Sequence, residues 1–189
     1  FGASYQRYDD IAEQAADLLA SGKIVGWFQD RMEFGPRALG NRSILADPRQ
    51  EEIKDTLNRR IKHRESFRPF APSALSEDSA QYFENGFSSP YMLLIDFVKP
   101  LLRKPLPPDY YKKSVKEKLY FERSSLPAIT HLDFSARLQT VHKETNPRYH
   151  ELISAFKART GCAMIVNTSF NVRGEPIVMS PEDAWRCFM

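Results

Sequence analysis

Cysteine is nearly absent from these 189 residues: only Cys162 and Cys187 occur. Two thiols far apart make no disulfide framework, and both are expected to stay reduced. Histidine is also scarce. The four residues His63, His131, His142 and His150 show no ligand spacing with one another or with either cysteine, so no metal site is expected. No apolar run approaches the roughly 20 residues of a membrane span. There is no phosphate-binding loop of the Gly-x-x-x-x-Gly-Lys type and no Ser–His–Asp arrangement. Nucleophilic catalysis, resident-metal chemistry and membrane insertion are thereby set aside, and a cytoplasmic location is expected. The first residue is Phe1, with neither an initiator methionine nor a signal-peptide pattern. Ser180-Pro181-Glu182-Asp183 predicts a helix start with the last residue, Met189, still inside the helix. A segment of a longer protein is therefore expected.

Hydrophobic content is 42%, with 13 phenylalanines, enough for one globular domain over residues 1–189. The net charge is +3, but it is local. Residues 31–68 hold ten Lys/Arg against six Asp/Glu, a net +4, so the remainder is −1. A focused field of this kind suits a small polyanion better than a long one, and nucleic acid is not the expected partner.

Residues 10–21 predict an amphipathic helix, capped by Asp10 and ended by Gly22. Residues 24–28 predict a buried strand, 43–46 a second, and 50–62 a helix with Ile53, Leu57 and Ile61 at spacing four. Strands are expected at 70–75 and 91–98, and a hairpin from 130–132 and 137–142 turning near Asp133-Phe134-Ser135. Pro147 opens a helix that Gly161 ends, and residues 163–166 form a buried strand. Elements of both kinds interleave without a strict βαβ rhythm, so the expected class is α/β with a twisted mixed sheet and flanking helices. Residues 99–127 carry five prolines and a lysine-rich patch, which reads as a surface excursion, either solvated or docking a partner.

Three segments carry the chemistry. Arg31, Arg37 and Arg42 lie among Gly35, Pro36 and Gly40 directly after a buried strand. An exposed arginine run would have the same composition; the turn residues and the position favour an anion cradle. Lys62, Arg64 and Arg68 follow a predicted helix, where basic groups also serve helix carbonyls. Asn167, Ser169 and Asn171 alternate at the exit of a strand and can line one face of an extended loop. His131, Asp133, Arg137 and Gln139 alternate similarly, with a structural and a ligand reading both open.

The motifs Glu33–Ser43 (EFGPRALGNRS), Arg68–Pro72 (RPFAP), His131-Leu132-Asp133, Gln139-Thr140-Val141 and Asn167–Asn171 (NTSFN) resemble the C-terminal domain of the O-carbamoyltransferase family. That family includes enzymes that carbamoylate antibiotics and nodulation-factor sugars. The resemblance runs from about residue 10 to the end, with residues 101–125 outside it. It implies a YrdC-like fold around a positively charged cavity, in which a Lys-x-Arg and a later Ser-x-Asn motif hold an acyl-adenylate. Lys62-His63-Arg64 and Ser169-Phe170-Asn171 match both, in that order. It further implies ATP with Mg²⁺, carbamoyl phosphate as co-substrate, and carbamoyl-adenylate as product. Lys62, Arg64 and Arg68 would act on the reacting groups, and Arg37, Arg42, Asn167, Ser169 and Asn171 would bind nucleotide and phosphate. Arg31, His131 and Arg137 are further candidates. A separate N-terminal, metal-containing domain would pass the carbamoyl group to a small-molecule acceptor hydroxyl. An RNA-binding module of the same fold and an inactive interaction domain are the alternatives. The aromatics that a base-stacking surface needs are missing near residues 31–68.

Overall fold

A computed structural model describes residues 5–189. Its centre is a five-stranded mixed sheet built from β1 (Val25–Phe28), β2 (Arg42–Ala46), β3 (Ala71–Leu75), β6 (Gln139–Val141) and β7 (Met164–Ser169), in the order β1-β2-β7-β3-β6. Only β3 and β6 run parallel. The inner strands β2 and β3 are buried along their whole length, including the polar residues Arg42, Ser43 and Ser73. Two further strands, β4 (Ile95–Phe97) and β5 (Ser135–Arg137), form a separate antiparallel ribbon.

Helices α1 (Ile11–Ala20) and α5 (Pro147–Thr160) pack against each other and over the sheet. Each starts and stops on the predicted signals. The Asp10 carboxylate accepts from the Glu13 amide at 3.0 Å, and Asn146 accepts from the Tyr149 amide at 3.3 Å beside Pro147. Gly161 closes α5 in the left-handed conformation. Leu19, Leu45, Ile153, Phe156 and Ile165 are fully enclosed between these layers. The last helix, α6 (Pro181–Phe188), begins on a reciprocal Ser180–Asp183 capping box. No helix among the described residues is long and apolar enough to cross a membrane.

The structure departs from the sequence reading in three places. The helix expected over 50–62 is α-helical only as α2 (Glu51–Thr56) and widens into a π-helical turn at Leu57–Ile61. The strand expected at 91–98 shrinks to β4, because Met92 sits at φ +55° in a turn. The expected 130–142 hairpin does not form. The chain turns at 131–135 with Phe134 at φ +66°, then sends β5 to pair with β4 and β6 to lie beside β3. Strand pairing here is decided by tertiary partners, which local alternation cannot reveal.

A short helix α3 (Ser79–Tyr82) follows β3. Residues 99–127 lie outside the central sheet and include 3₁₀ turns at Pro100–Leu102 and Tyr110–Lys112 and the short helix α4 (Val115–Tyr120). The segment is anchored through buried Tyr110, Arg123, Ser124 and Leu126.

Candidate functional site: a basic cavity beside the sheet

The connection from β1 to β2 is pinned from several sides. The Glu33 carboxylate accepts from the amides of Leu39 and Asn41 at 2.6 and 2.7 Å. Beneath the loop, Asn167 Nδ2 donates to the Ala38 carbonyl at 3.0 Å, and Gln139 Nε2 to the Leu39 carbonyl at 2.8 Å. Gly40 is required: its φ is +113°, and a Cβ there would meet the Tyr149 ring at 2.3 Å. These contacts hold Pro36-Arg37-Ala38 at the mouth of a cavity, with the Arg37 side chain exposed.

The Lys-x-Arg segment is set by the π-helical turn. Its wider winding lets the Lys62 amide reach the Leu57 carbonyl at 2.9 Å and the Arg64 amide reach that of Asn58 at 3.0 Å. Asn58 is fully buried and acts as the clamp. Its Nδ2 donates to the carbonyls of Ser66 and Arg68, and its Oδ1 accepts from Arg64 Nε at 2.5 Å. The Arg64 guanidinium lies 4.7 Å from the centre of the Phe70 ring. His63, at φ +44°, turns its carbonyl to Arg173 Nη1 at 2.8 Å.

Strand β7 delivers the third segment. Lys62 Nζ donates to the Ser169 carbonyl at 2.7 Å, to the Asn171 carbonyl at 3.0 Å and to Asn171 Oδ1 at 2.8 Å. Ser169 Oγ donates in turn to Asn171 Oδ1 at 2.7 Å. The two motifs, more than 100 residues apart in sequence, are thus joined directly.

Around this junction lies a cavity of about 320 Å³. Arg37, Lys62, Arg64, Arg137 and Arg173 line it, and no carboxylate does. Burial, reinforced by neighbouring Arg64, brings the Lys62 ammonium down to about 8. Burial also lowers Arg64, with Arg68 adding to it, and lowers Arg137, with Arg37 adding to it. Each shift marks a cation short of negative charge. Two buried atoms at the site have no partner, Arg137 Nε and Asn167 Oδ1. The arrangement is built to receive an anion that also offers a hydrogen-bond donor.

Of the residues singled out in the sequence, Arg37, Lys62, Arg64, Arg137, Asn167, Ser169 and Asn171 meet at this cavity. Four lie elsewhere. Arg42 is 4% exposed and spends its guanidinium on the carbonyls of Gln29, Asn41, Asp30 and Met179, stacked 3.5 Å from the centre of the Phe28 ring. It is a strut, and its assignment as a phosphate ligand is corrected accordingly. Arg31 is exposed outside the cavity, its carbonyl taken by Asn41 Nδ2. Arg68 faces two neighbouring cavities, and His131 one of them. Arg173 and Asn58 were not anticipated. Arg173 is brought in by a turn beyond the end of β7, and Asn58 lay hidden inside a predicted helix.

A carboxylate-free cationic cavity in a mixed α/β domain has the chemistry to hold a small anion. The family follows from comparison: residues 16–189 match the carbamoyltransferase C-terminus family, and the chain belongs to it. It is 50% identical to nodulation protein NolO of Bradyrhizobium diazoefficiens, over 97% of this chain and 30% of that protein. It is 40% identical to the 3'-hydroxymethylcephem-O-carbamoyltransferase of Amycolatopsis lactamdurans, over 90% of this chain and 28% of that enzyme. The chain therefore spans less than a third of the length of these relatives. Among solved structures, HypF of T. kodakarensis shares the fold at a TM-score of 0.58 and 21% identity, over 97% of this chain and 20% of that one. A full-length HypF solved in a phosphate- and nucleotide-bound form matches at 0.54 and 18% identity, over 98% and 20%. The twisted mixed sheet with flanking helices is thus the YrdC-like class that the motifs implied.

Proposed function

We propose that this chain is the adenylate-forming domain of an ATP-dependent O-carbamoyltransferase. The observation that carries the reading is the Lys62–Ser169–Asn171 junction inside a cavity lined by five cations and no acid. Water cleaves the mixed anhydride of carbamoyl phosphate to carbamate and orthophosphate, and a carbamate oxygen then attacks the α-phosphorus of ATP. The α–β phosphoanhydride bond breaks, pyrophosphate leaves, and carbamoyl-adenylate remains. Charge builds on phosphate oxygens along this path, and fixed cations stabilise it without a covalent intermediate. Arg37, Arg64, Arg137 and Arg173 neutralise phosphate oxygens, while Lys62 is held by Ser169 and Asn171 at the point of attack. Asn167 Oδ1 accepts a hydrogen bond from the carbamoyl amide, the donor that its unpaired state calls for.

No cluster of three or more candidate metal ligands occurs among the described residues, and the cavity lining has no carboxylate. Mg²⁺ fits only as a companion of the nucleotide, held by phosphate oxygens and water, where it supplies further charge neutralisation. The phosphate- and nucleotide-bound state of a HypF of the same fold is consistent with nucleotide use. Transfer to an acceptor hydroxyl falls to the part of the protein that lies outside this chain. A cytoplasmic setting suits ATP chemistry with two free thiols.

The test is ATP–pyrophosphate exchange with and without carbamoyl phosphate, alongside calorimetric titration of nucleotide. Exchange that depends on carbamoyl phosphate is the expected result. Tight binding of RNA with no nucleotide binding would overturn the reading in favour of a nucleic-acid module.

A further inference from the structure

Three neighbouring strands, β6, β3 and β7, each bury one polar side chain in a common cluster: Gln139, Ser73 and Asn167. The strand register sets Ser73 directly opposite Gln139. Gln139 Nε2 donates to the Leu39 carbonyl at 2.8 Å, and Gln139 Oε1 accepts from Asn167 Nδ2 at 2.9 Å. Ser73 Oγ donates to Gln139 Oε1 at 2.5 Å and accepts from Asn167 Nδ2 at 3.0 Å. Asn167 Nδ2 also donates to the Ala38 carbonyl at 3.0 Å.

The polarity of this chain of bonds is fixed from outside. A backbone carbonyl accepts and never donates, so the Leu39 carbonyl requires the nitrogen of Gln139 on its side. That turns Gln139 Oε1 toward Asn167, and this oxygen and the Ala38 carbonyl together require the nitrogen of Asn167 there. The Ser73 hydroxyl both donates and accepts, so it fits either orientation and fixes neither. Both N–H groups of Asn167 are spent on the protein in this way. Only Oδ1 remains, and it is buried without a partner. The Tyr149 hydroxyl is unpartnered as well, so it does not supply the missing donor.

A ligand that reaches Asn167 therefore meets an acceptor and no donor. An acyl group with an N–H satisfies that acceptor. A methyl group of similar size strips it of water and returns no bond, which costs more than the bond itself is worth. A site built to hydrogen-bond one group discriminates strongly against an analogue that lacks it.

We propose that Gln139 is a positioning residue that sets acyl-group specificity: with the Ala38 carbonyl it locks the Asn167 amide so that the cavity accepts an acyl group carrying N–H and rejects one ending in methyl. Gln139 acts only through Asn167. The identity of the acyl group rests on the adenylation reading, whereas the lock is a property of the free chain.

The experiment is ATP–pyrophosphate exchange by the 189-residue chain with carbamoyl phosphate in one arm and acetyl phosphate in the other. The two donors differ by an amino group against a methyl. In the acetyl arm water cleaves the anhydride to acetate and orthophosphate, and acetate takes the place of carbamate at the α-phosphorus, with pyrophosphate leaving. The parent should favour carbamoyl phosphate in kcat/KM by about a hundredfold. Gln139→Met should reduce that preference by about tenfold or more, through loss in the carbamoyl arm. A sagging of the loop that carries Arg37 would lower both arms alike, so the ratio reads the lock and neither rate does. Ser73→Ala should melt earlier but keep the ratio, because a hydroxyl does not set the polarity. An unchanged ratio in Gln139→Met, or equal use of both donors by the parent, would overturn the proposal.

A second measurement needs no variant. Both Asn167 Nδ2 protons of the parent should exchange slowly with water in amide NMR, and rapid exchange would show that there is no lock. If the parent supports exchange with neither donor, the adenylation reading falls. Calorimetry with phosphonoacetamide against acetonylphosphonate, matched in charge and size, then decides the specificity alone. Tighter binding of the amide, weakened in Gln139→Met, is expected, and equal affinity would sink it.

Discussion

Lys62 Nζ sits 2.8 Å from Asn171 Oδ1, a residue 109 positions later, and the same amide oxygen accepts from Ser169 Oγ. An ammonium donates three hydrogen bonds, and here backbone and side-chain oxygens of one strand exit take them. The charge is satisfied geometrically yet remains unneutralised, since no carboxylate lines the cavity. That combination orients a cation while leaving its field available to a ligand.

Lys62→Met should therefore reduce nucleotide affinity by about tenfold to a hundredfold, the ~1.5–3 kcal/mol of a charge-assisted contact. Arg64→Ala should do the same but also destabilise the chain, because it frees Asn58 Oδ1 in a buried setting and uncovers Phe70. Calorimetry with denaturant melts on both variants separates the two effects. Equal affinity in Lys62→Met and the parent would remove Lys62 from the site.

The depressed Lys62 value gives a pH signature. Nucleotide affinity should fall as pH rises through about 8, and Lys62→Met should flatten that step. Stability moves the other way. Between about 8 and the ordinary lysine value of 10.5, the unfolded chain holds a proton that the folded chain has released. Folding is then favoured increasingly with pH across that window, by on the order of 3 kcal/mol for this group. Comparing melts of the parent and Lys62→Met from pH 7 to 10.5 isolates the contribution.

Much of this site was readable in one dimension, for identifiable reasons. The caps at Asp10, Asn146 and Ser180 depend on neighbours in sequence, and those helices start where the residues say. Asn167 and Ser169 share a face of β7 at period two; past Ser169 the chain bends and turns, so Thr168, Val172, Arg173 and Gly174 also line the cavity and strand alternation could not single out Arg173. Arg42 could not be assigned correctly, since its four carbonyl partners come from three separate chain segments, including Met179. The π-helical turn was equally hidden. Ile53, Leu57 and Ile61 fit an ordinary helix, and only the demands of Asn58 on Ser66 and Arg68 reveal why the last turn widens.

Arg42→Met should unfold the chain more readily without belonging to the ligand site. The substitution strips donors from four carbonyls inside the fold and removes the stack on Phe28. A cost of about 3 kcal/mol or more is expected. Urea denaturation reads it directly. A variant of normal stability but impaired nucleotide binding would return Arg42 to the phosphate cradle.

Gly40→Ala tests the loop that carries Arg37. The new Cβ would enter the Tyr149 ring, and φ +113° disfavours any L side chain. Because Tyr149 is fully buried, the loop has to move instead. A stability loss of about 1–3 kcal/mol is expected from the backbone strain alone, together with weaker nucleotide binding. Retained affinity at reduced stability would show that Arg37 does not need this loop geometry.

The relatives of this chain are more than three times longer than the region matched here, so the chemistry found in this chain is at most one stage of theirs. An activated carbamoyl group also reacts with water, so release without a receiving domain leads to hydrolysis. The chain should therefore catalyse carbamoyl-phosphate-dependent ATP–pyrophosphate exchange and slow AMP formation, but no carbamoylation of an added hydroxyl acceptor. The paired assay is decisive because both halves use the same protein preparation. Acceptor carbamoylation at a rate matching pyrophosphate exchange would place transfer within these residues and end the proposed division of labour.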